Sequence, residues 1–287
     1  MKIRINNYID NYLEYLERVK YDLSLNKEEV WNDCCYKVNS DMYEHIFDLY
    51  HQINSDVSLA LGPINSFGIN SLEEKLRAAQ KRIENSICRV VEYMSEFDNK
   101  DIEVSLNIVV GNMSTNAIVT GYDGLSLFVF AERLPDEKYI DILIAHELSH
   151  IIHSYSYSET ISVPKLSDLV FCEGIAISIS QAICPGYEML EYINFSAEGN
   201  LGHRKTLITS RINKIVNDID SDSIEVIRNY MTNGESITQS RIGYDIGYYI
   251  VQYLSKNISL EEQLTLSSKE VREVFRDYAE KALKCIR

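Results

Sequence analysis

Apolar residues recur along the chain at helical spacing over most of its length and alternate strictly in one short region. Residues 1–98 show the helical spacing and are predicted to be mainly helical. One stripe in this region comprises Ile9, Tyr12, Leu13, Leu16, Val19 and Leu23. A second comprises Leu72, Leu76, Ala79, Ile83, Ile87, Val90 and Met94. These stripes predict helices that bury one face.

The only clear β segment in the sequence runs from 101 to 132. Alternating apolar positions open it, at Ile102, Val104, Leu106, Ile108 and Val110. Residues 116–120, the turn Gly121–Gly124 and residues 125–130 then predict a hairpin. From 136 onward the spacing is helical again. The pattern predicts an α+β, mainly α protein with a small antiparallel or mixed sheet, divided into an N-terminal helical region (1–98) and a second domain (99–287) whose helical lobe spans 136–287.

Composition indicates a globular protein and disfavours two classes of partner. Of the 287 residues, 45% are hydrophobic and 25% charged, which is enough for a substantial core. The net charge of −15 disfavours nucleic acid and anionic membrane, which bind basic surfaces. The N-terminus lacks the apolar core of a signal peptide, and no uncharged apolar run is long enough to span a membrane. Scattered cysteines complete the expectation of a cytoplasmic protein with reduced thiols.

The candidate chemistry begins with a His-Glu-x-x-His motif at 146–150. It lies in an apolar run, 139–152, that lacks proline and glycine and predicts a helix. Residues four apart share a helix face, so His146 and His150 can reach one metal ion, while Glu147 can hold a water beside it. The alternative is a half-buried helix whose histidines bond to backbone carbonyls.

Glu173 is the candidate third ligand. It is the only charged residue between Asp168 and Pro185, in a helical run, and a buried carboxylate needs a partner. The alternatives are that Glu173 faces solvent or pairs with a lysine. Rival third ligands are His153, Glu159 and Asp168, of which His153 is expected to lie about one turn beyond the metal, behind the ligands or packed in the core. Cys172 is not expected as a fourth ligand, because neighbouring positions on a helix point about 100° apart.

Residues 241–251 form a further notable segment. Gly243 and Gly247 lie four apart, so they present one smooth helical face for close packing. Tyr244 and Tyr248 repeat at the same spacing. Tyr244 is the candidate donor to a developing oxyanion, with His203 as the alternative donor. The competing interpretation is that the tyrosines fill the core beside a glycine contact.

Three of these segments carry a family resemblance. HELSH (146–150), FCEGIA (171–176) and RIGYDIGYYIV (241–251), in this order, resemble the bacterial "predicted Zn-dependent protease" family, a gluzincin group. The resemblance covers roughly 105–255. It implies a thermolysin-like zincin core, with His146, His150 and Glu173 as ligands and Glu147 as base, and it places Tyr244 near the site.

The resemblance has limits. Thermolysin-type enzymes often carry an aspartate four residues after the ligand glutamate, where this chain has Ile177. The metzincin pattern is excluded, because it needs glycine and histidine where His153 and Ser156 stand. Residues 111–116 lack the glutamate with which related aminopeptidases bind a substrate amine. In the thermolysin layout an edge strand pairs with the substrate, and 124–130 is the candidate edge, with an interior strand as the alternative.

Together these features predict a zinc-dependent hydrolase. The expected reaction is peptide hydrolysis with about one zinc ion per chain, a peptide or protein substrate and Glu147 as general base. Two alternatives stay open. One is a zinc-binding regulatory or partner-binding protein with vestigial activity, and the other is a hydrolase of a non-peptide amide. The substrate, the endo- or exopeptidase preference and the oligomeric state are not determined by the sequence.

Overall fold

The structure is a computed structural model that describes residues 2–52, 58–97, 102–111, 115–156, 163–195, 211–212, 214–231 and 241–284. The chain forms two compact units, Met1–Asp141 and Ile142–Arg287. The first unit contains a sheet and helices, and the second unit is helical in the described residues. The mainly helical α+β class is therefore confirmed. The domain boundary predicted after residue 98 stays a prediction.

The first unit contains a mixed four-stranded sheet. Its strands are β1 (Lys2–Asn7), β2 (Glu103–Val109), β3 (Ala117–Thr120) and β4 (Ser126–Phe130), in the order β1-β2-β4-β3. β2 is parallel to both β1 and β4, while β3 and β4 form the predicted antiparallel hairpin. The predicted alternation in β2 places Val104, Leu106 and Ile108 in the core.

The sequence did not predict one strand of this sheet, and one expectation about the sheet was wrong. The N-terminal region contains helices as expected, but it also contains β1, because Lys2–Asn7 pairs with β2 in the register Ile3↔Val104 and Ile5↔Leu106. This half-exposed edge strand has only two apolar residues, so its alternation of apolar and polar positions is weak. Its extended structure depends on pairing with β2, which is distant in sequence. The candidate edge 124–130 contains β4, which is an interior strand. All five of its residues are buried, as is typical of a strand covered on both faces.

Along the chain, helices precede and follow the strands of the sheet. In the first unit they are α1 (Ile9–Tyr21), α2 (Lys27–Trp31), α3 (Ser40–Gln52), α4 (Gly62–Phe67) and α5 (Ile69–Phe97), with a π-helical turn at Asn32–Tyr36. Both predicted apolar stripes are buried, except that Leu23 is 78% exposed because α1 ends before it. Short 3₁₀ turns at Ala131–Arg133 and Glu137–Tyr139 follow β4.

The second unit is built around two apolar helices that approach each other closely. Its helices with defined bounds are α6 (Ile140–Ser156, beginning just before the unit), α7 (Leu166–Ile183), α8 (Met189–Asn194), α9 (Ile224–Met231), α10 (Ile242–Leu254), α11 (Leu260–Gln263) and α12 (Ser268–Lys284). α7 packs most extensively against α10, and the Ser180 hydroxyl on α7 donates to the Ile142 carbonyl on α6, at 3.5 Å. α7 is long and apolar enough to cross a membrane, but it is mostly buried as a core helix.

Candidate metal centre

The two motif histidines lie on one face of α6, as the spacing predicts. Apolar residues on the remaining faces of α6, including Leu143, Leu148 and Ile151, are buried and hold the helix in the core. The side chain of His146 is 4% exposed and that of His150 is 19% exposed. Both histidines are thus removed from bulk water but face a common point.

Glu173 on α7 completes a triangle of donor atoms. Its Oε2 atom lies 3.0 Å from His146 Nε2 and 3.7 Å from His150 Nε2, and the two Nε2 atoms are 3.2 Å apart. Glu173 therefore neither faces solvent nor pairs with a lysine, the alternatives left open by the sequence. Among the described residues, His146, His150 and Glu173 are the group of side chains that could hold a metal ion.

The dimensions of this triangle suit zinc. Tetrahedral zinc binds histidine nitrogen and carboxylate oxygen at about 2.0–2.1 Å, which separates neighbouring ligand atoms by roughly 3.3–3.4 Å. The three observed separations bracket that value. Two imidazoles and one carboxylate also make up the donor set of a catalytic zinc that keeps an open position. The residues present therefore fit the ion.

The charges of the cluster are mutually stabilised. Burial alone would raise the pKa of Glu173, but the two imidazoles hold it below its ordinary value. Burial opposes protonation of His146, yet the hydrogen bond and charge of Glu173 outweigh it and raise the pKa of His146. The pKa of His150 lies below its ordinary value because burial is only partly offset by Glu173. In the absence of metal, His146 donates to Glu173.

Different neighbours hold the two imidazoles. The Nδ1 atom of His150 lies 3.1 Å from the sulfur of Cys172. The ring of His146 packs edge-on against the ring of Phe195, at 5.6 Å between centroids, and parallel to the ring of Tyr244, at 6.4 Å. Its buried Nδ1 atom has no hydrogen-bond partner among the residues that the structure describes. On the Nδ1 side, therefore, His150 has a polar contact and His146 has none among the described residues.

Glu147 is next to the cluster without belonging to it. Its carboxylate is half-buried and is not one of the three converging donors. Its charge nevertheless acts on His146, His150 and Tyr244. This is the placement expected of a group that handles protons beside a metal without binding it.

Tyr244 lies against the cluster. Its phenol is hydrogen-bonded to Glu173, and burial together with the charge of Glu173 raises the pKa of Tyr244 well above its ordinary value. The Arg241 guanidinium packs over the ring of Tyr244, 5.3 Å from the ring centroid. Tyr244 is therefore both a packed side chain and a neutral hydrogen-bond donor at the candidate metal site. The alternative donor, His203, lies outside the described residues.

Glycines on α7 and α10 bring Tyr244 to this position. A Cβ atom added at Gly247 would lie 2.0 Å from the Val170 carbonyl oxygen, and one added at Gly174 would lie 2.3 Å from the backbone of Gly247. No larger residue fits at either position without moving a backbone. The predicted glycine contact is thus confirmed, and it places Tyr244 of α10 beside Glu173 of α7.

The family comparison agrees with this geometry. The family described as "Predicted Zn-dependent protease (DUF2268)" matches residues 77–273, which is more than half of the chain. The chain belongs to this family. The match includes the cluster and Tyr244, and it extends beyond the range 105–255 on which the resemblance rested. No curated protein and no solved structure matches the chain significantly.

In this member of the predicted Zn-dependent protease family, the rival ligands have other roles. His153 is buried with its ring 6.0 Å from that of Phe171, as a core histidine. Asp168 accepts from the Lys165 backbone at 3.0 Å and from the Ser268 hydroxyl at 2.7 Å, so it caps α7. Glu159 lies outside the described residues.

Sequence reasoning missed three neighbours of the cluster in the second unit. Cys172 was not expected as a ligand and was not considered as a contact of His150, and Phe195 and Arg241 were not considered as site residues. Only Cys172 had a local signal, since it precedes Glu173 on the same helix. Phe195 and Arg241 both adopt left-handed backbone conformations, with φ of 52° and 55°, at the end of α8 and the start of α10. Such side chains reach the cluster through tertiary structure.

Proposed function

We propose that the protein is a zinc-dependent peptidase in which His146, His150 and Glu173 bind one zinc ion per chain. The observation that carries this proposal is the triangle of donor atoms, with sides of 3.0, 3.2 and 3.7 Å, formed by two buried helices. Its dimensions suit tetrahedral zinc, and three protein ligands are the number that a catalytic zinc uses.

The surrounding residues have roles in hydrolysis that follow from their positions. Zinc, when bound, polarises the scissile carbonyl and lowers the pKa of water toward about 7. Glu147 accepts the proton of the attacking water and delivers it to the leaving nitrogen. The Tyr244 phenol stays protonated near neutral pH, so it can donate a hydrogen bond to the oxyanion once Glu173 is engaged by the metal.

The position of Glu147 favours an enzyme over a regulatory zinc protein. A purely structural metal site needs ligands but no general base, and it usually closes with a fourth protein ligand. Within the described residues the cluster has three donors, and the sulfur of Cys172 contacts the far nitrogen of His150. We also propose a peptide or protein substrate and a cytoplasmic location. We propose no nucleic acid or membrane partner, because the net charge of −15 disfavours binding to polyanions.

The substitution Glu147→Gln tests this function. A base that is not a ligand can lose its charge without loss of metal, so the variant should retain about one zinc per chain. Its hydrolysis of a proteome-derived peptide library should fall on the order of 10²- to 10⁴-fold. Metal content is measured by elemental analysis and cleavage by mass spectrometry.

Two controls make the result interpretable. Glu225→Gln, at an exposed position on α9, should keep both zinc and activity, while His146→Ala should lose zinc. A folded, zinc-replete wild-type protein without bound metal would contradict the metal site. A zinc-loaded wild type that cleaves amides other than peptides would replace the peptidase proposal with the amidohydrolase alternative.

A further inference from the structure

The contact between Cys172 and His150 has no assigned role in zinc-dependent hydrolysis. The sulfur lies 3.1 Å from Nδ1, on the side of the imidazole away from the Nε2 atom that faces Glu173. Cys172 is one residue before Glu173 on α7, so one helix supplies both a donor of the triangle and a contact to the histidine beside it. A direct role of Cys172 as a fourth donor does not fit, because its sulfur is on the wrong side of the ring.

The chemistry of imidazole gives this contact a specific consequence. A neutral histidine carries one ring proton, and its metal-binding nitrogen must be the one without it. For Nε2 of His150 to present its lone pair to a metal, the proton must therefore be on Nδ1. A group that accepts a hydrogen bond from Nδ1–H favours that tautomer and fixes the plane of the ring.

Among the described residues, the sulfur of Cys172 is the hydrogen-bond partner of His150 Nδ1. Ile177, the position at which thermolysin-type enzymes often carry an orienting aspartate, is fully buried and apolar. Asp168 is engaged in capping α7, where it accepts from Lys165 and Ser268. Sulfur is a weak acceptor, but in a buried setting it is the polar atom that the structure brings to Nδ1.

We propose that Cys172 is a positioning residue of the metal centre, whose sulfur accepts the Nδ1 hydrogen of His150 and so directs Nε2 to the metal. This inference rests on the proposed zinc site. It gives Nδ1 of His150 a partner, whereas Nδ1 of His146 has none among the described residues and the His146 ring packs against Phe195 and Tyr244. Loss of an outer-shell partner typically weakens metal binding by 10- to 100-fold, and a weak acceptor belongs at the lower end.

The experiment compares Cys172→Ala with Cys172→Ser in the full-length protein. Zinc dissociation constants are measured by competition with a chromophoric chelator at one fixed pH. The alanine variant should bind zinc about 10-fold more weakly, whereas serine, which keeps an acceptor, should restore affinity to within about threefold of wild type. Cys184→Ala removes a buried cysteine of the second unit that is not a neighbour of His150, and it should leave zinc affinity unchanged.

A second measurement reports on the histidine itself. In the metal-free protein, nitrogen NMR shifts of the His150 imidazole should show the Nδ1–H tautomer in wild type and in Cys172→Ser. Cys172→Ala should shift the population toward Nε2–H, while its melting temperature stays close to that of Cys184→Ala.

The outcomes separate this inference from the function on which it rests. Equal zinc affinity and equal tautomer populations in all variants would overturn the role of Cys172 and leave the zinc site intact. Equal loss of affinity in the alanine and serine variants would show that the thiol volume, and not an acceptor, matters, which also overturns it. A wild type that binds no zinc would overturn both proposals.

Discussion

Tyr244 contacts two of the three candidate ligands. Its phenol bonds to Glu173 and its ring lies parallel to that of His146, so its position is compatible with a packing role and with a catalytic role. A residue that only fills space should matter for stability, whereas one that donates to a developing charge should matter for turnover. One hydroxyl group distinguishes the two roles.

We expect Tyr244→Phe to lower both kcat and kcat/KM on the order of 10²-fold, because an oxyanion donor is lost while the ring is kept. Zinc content should be unchanged. Tyr248→Phe is the matched control, since that phenol lies on the same helix but bonds to Gln181, at 3.2 Å. Full activity in the Tyr244 variant would move the oxyanion role to another donor, with His203 the first to assay.

His153 makes stability depend on pH. Burial lowers the pKa of His153 to about 4, against about 6.5 for an exposed histidine. Between these values the unfolded chain binds a proton that the folded chain does not. His153 therefore costs stability as pH falls from about 6.5 to about 4, by on the order of 3 kcal/mol in total.

The variant His153→Leu should flatten this dependence. The free energy of unfolding of metal-free protein, measured by chemical denaturation at pH 7.5 and pH 4.5, should fall less in the variant than in wild type. His51→Leu, at an exposed position, should retain the wild-type difference. An unchanged pH dependence in His153→Leu would show that His153 is protonated in the folded state.

At the scale of residues, the sequence predicted those site residues whose signal lies within one short segment of the chain. His146, Glu147 and His150 share one helix turn, and Glu173 is an isolated charge in an apolar run, so both features can be read without a fold. The contact of Cys172 with His150 depends instead on how α6 and α7 pack and on the direction of two side chains. Helical spacing alone gave Cys172 a direction away from Glu173 but not the neighbour that it meets.

At the scale of elements, the contact between α7 and α10 holds the candidate site together. We expect Gly247→Ala to destabilise the second unit by about 3 kcal/mol, because the added methyl group meets the Val170 carbonyl and one backbone must move. For a unit of this size the melting temperature should fall by roughly 6–12 °C. Turnover should fall as well, since α10 carries Tyr244.

Gly121→Ala provides the control for this substitution. Gly121 lies in the turn between β3 and β4, where an added Cβ atom meets nothing within 4 Å. Its melting temperature should stay within the error of wild type. A Gly247→Ala protein as stable as wild type would show that the two helices do not require the close approach seen in the structure.

Strand pairing was harder to predict than helix formation. The hairpin of β3 and β4 was predicted because a short turn with two glycines separates its strands. The same residues do not reveal which side of β4 is free, because the second neighbour, β2, comes from a separate stretch of chain. β1 was not predicted because its partner, β2, also comes from a distant part of the chain. Edge and interior positions are properties of the whole sheet.

For the whole molecule, the proposed metal couples to the stability of one unit. The three candidate ligands lie in the second unit, on α6 and α7. Free zinc at 100 times its dissociation constant would stabilise the liganded fold by about 2.7 kcal/mol. Chelation should therefore speed amide hydrogen exchange in α6 and α7 more than in β2 and β4, as measured by mass spectrometry.

The His146→Ala variant supplies the reference state. Because it lacks one ligand, adding chelator should leave its exchange rates unchanged in both units. Equal deprotection of the sheet and of the two helices in wild type would contradict a metal effect confined to the second unit. Exchange that does not respond to chelator at all would indicate that the folded protein holds no metal there.

The parallel pairing of β1 with β2 has a consequence for biosynthesis. Lys2 pairs with Glu103, so about a hundred residues separate partners in the sheet. At a synthesis rate of roughly 5–20 residues per second, β1 exists for about 5–20 s before its partner is made. Closing so long a loop also raises contact order and slows folding. During synthesis β1 stays unpaired with β2 until β2 is made, so any of α1 to α5 that folds earlier does so without a finished sheet.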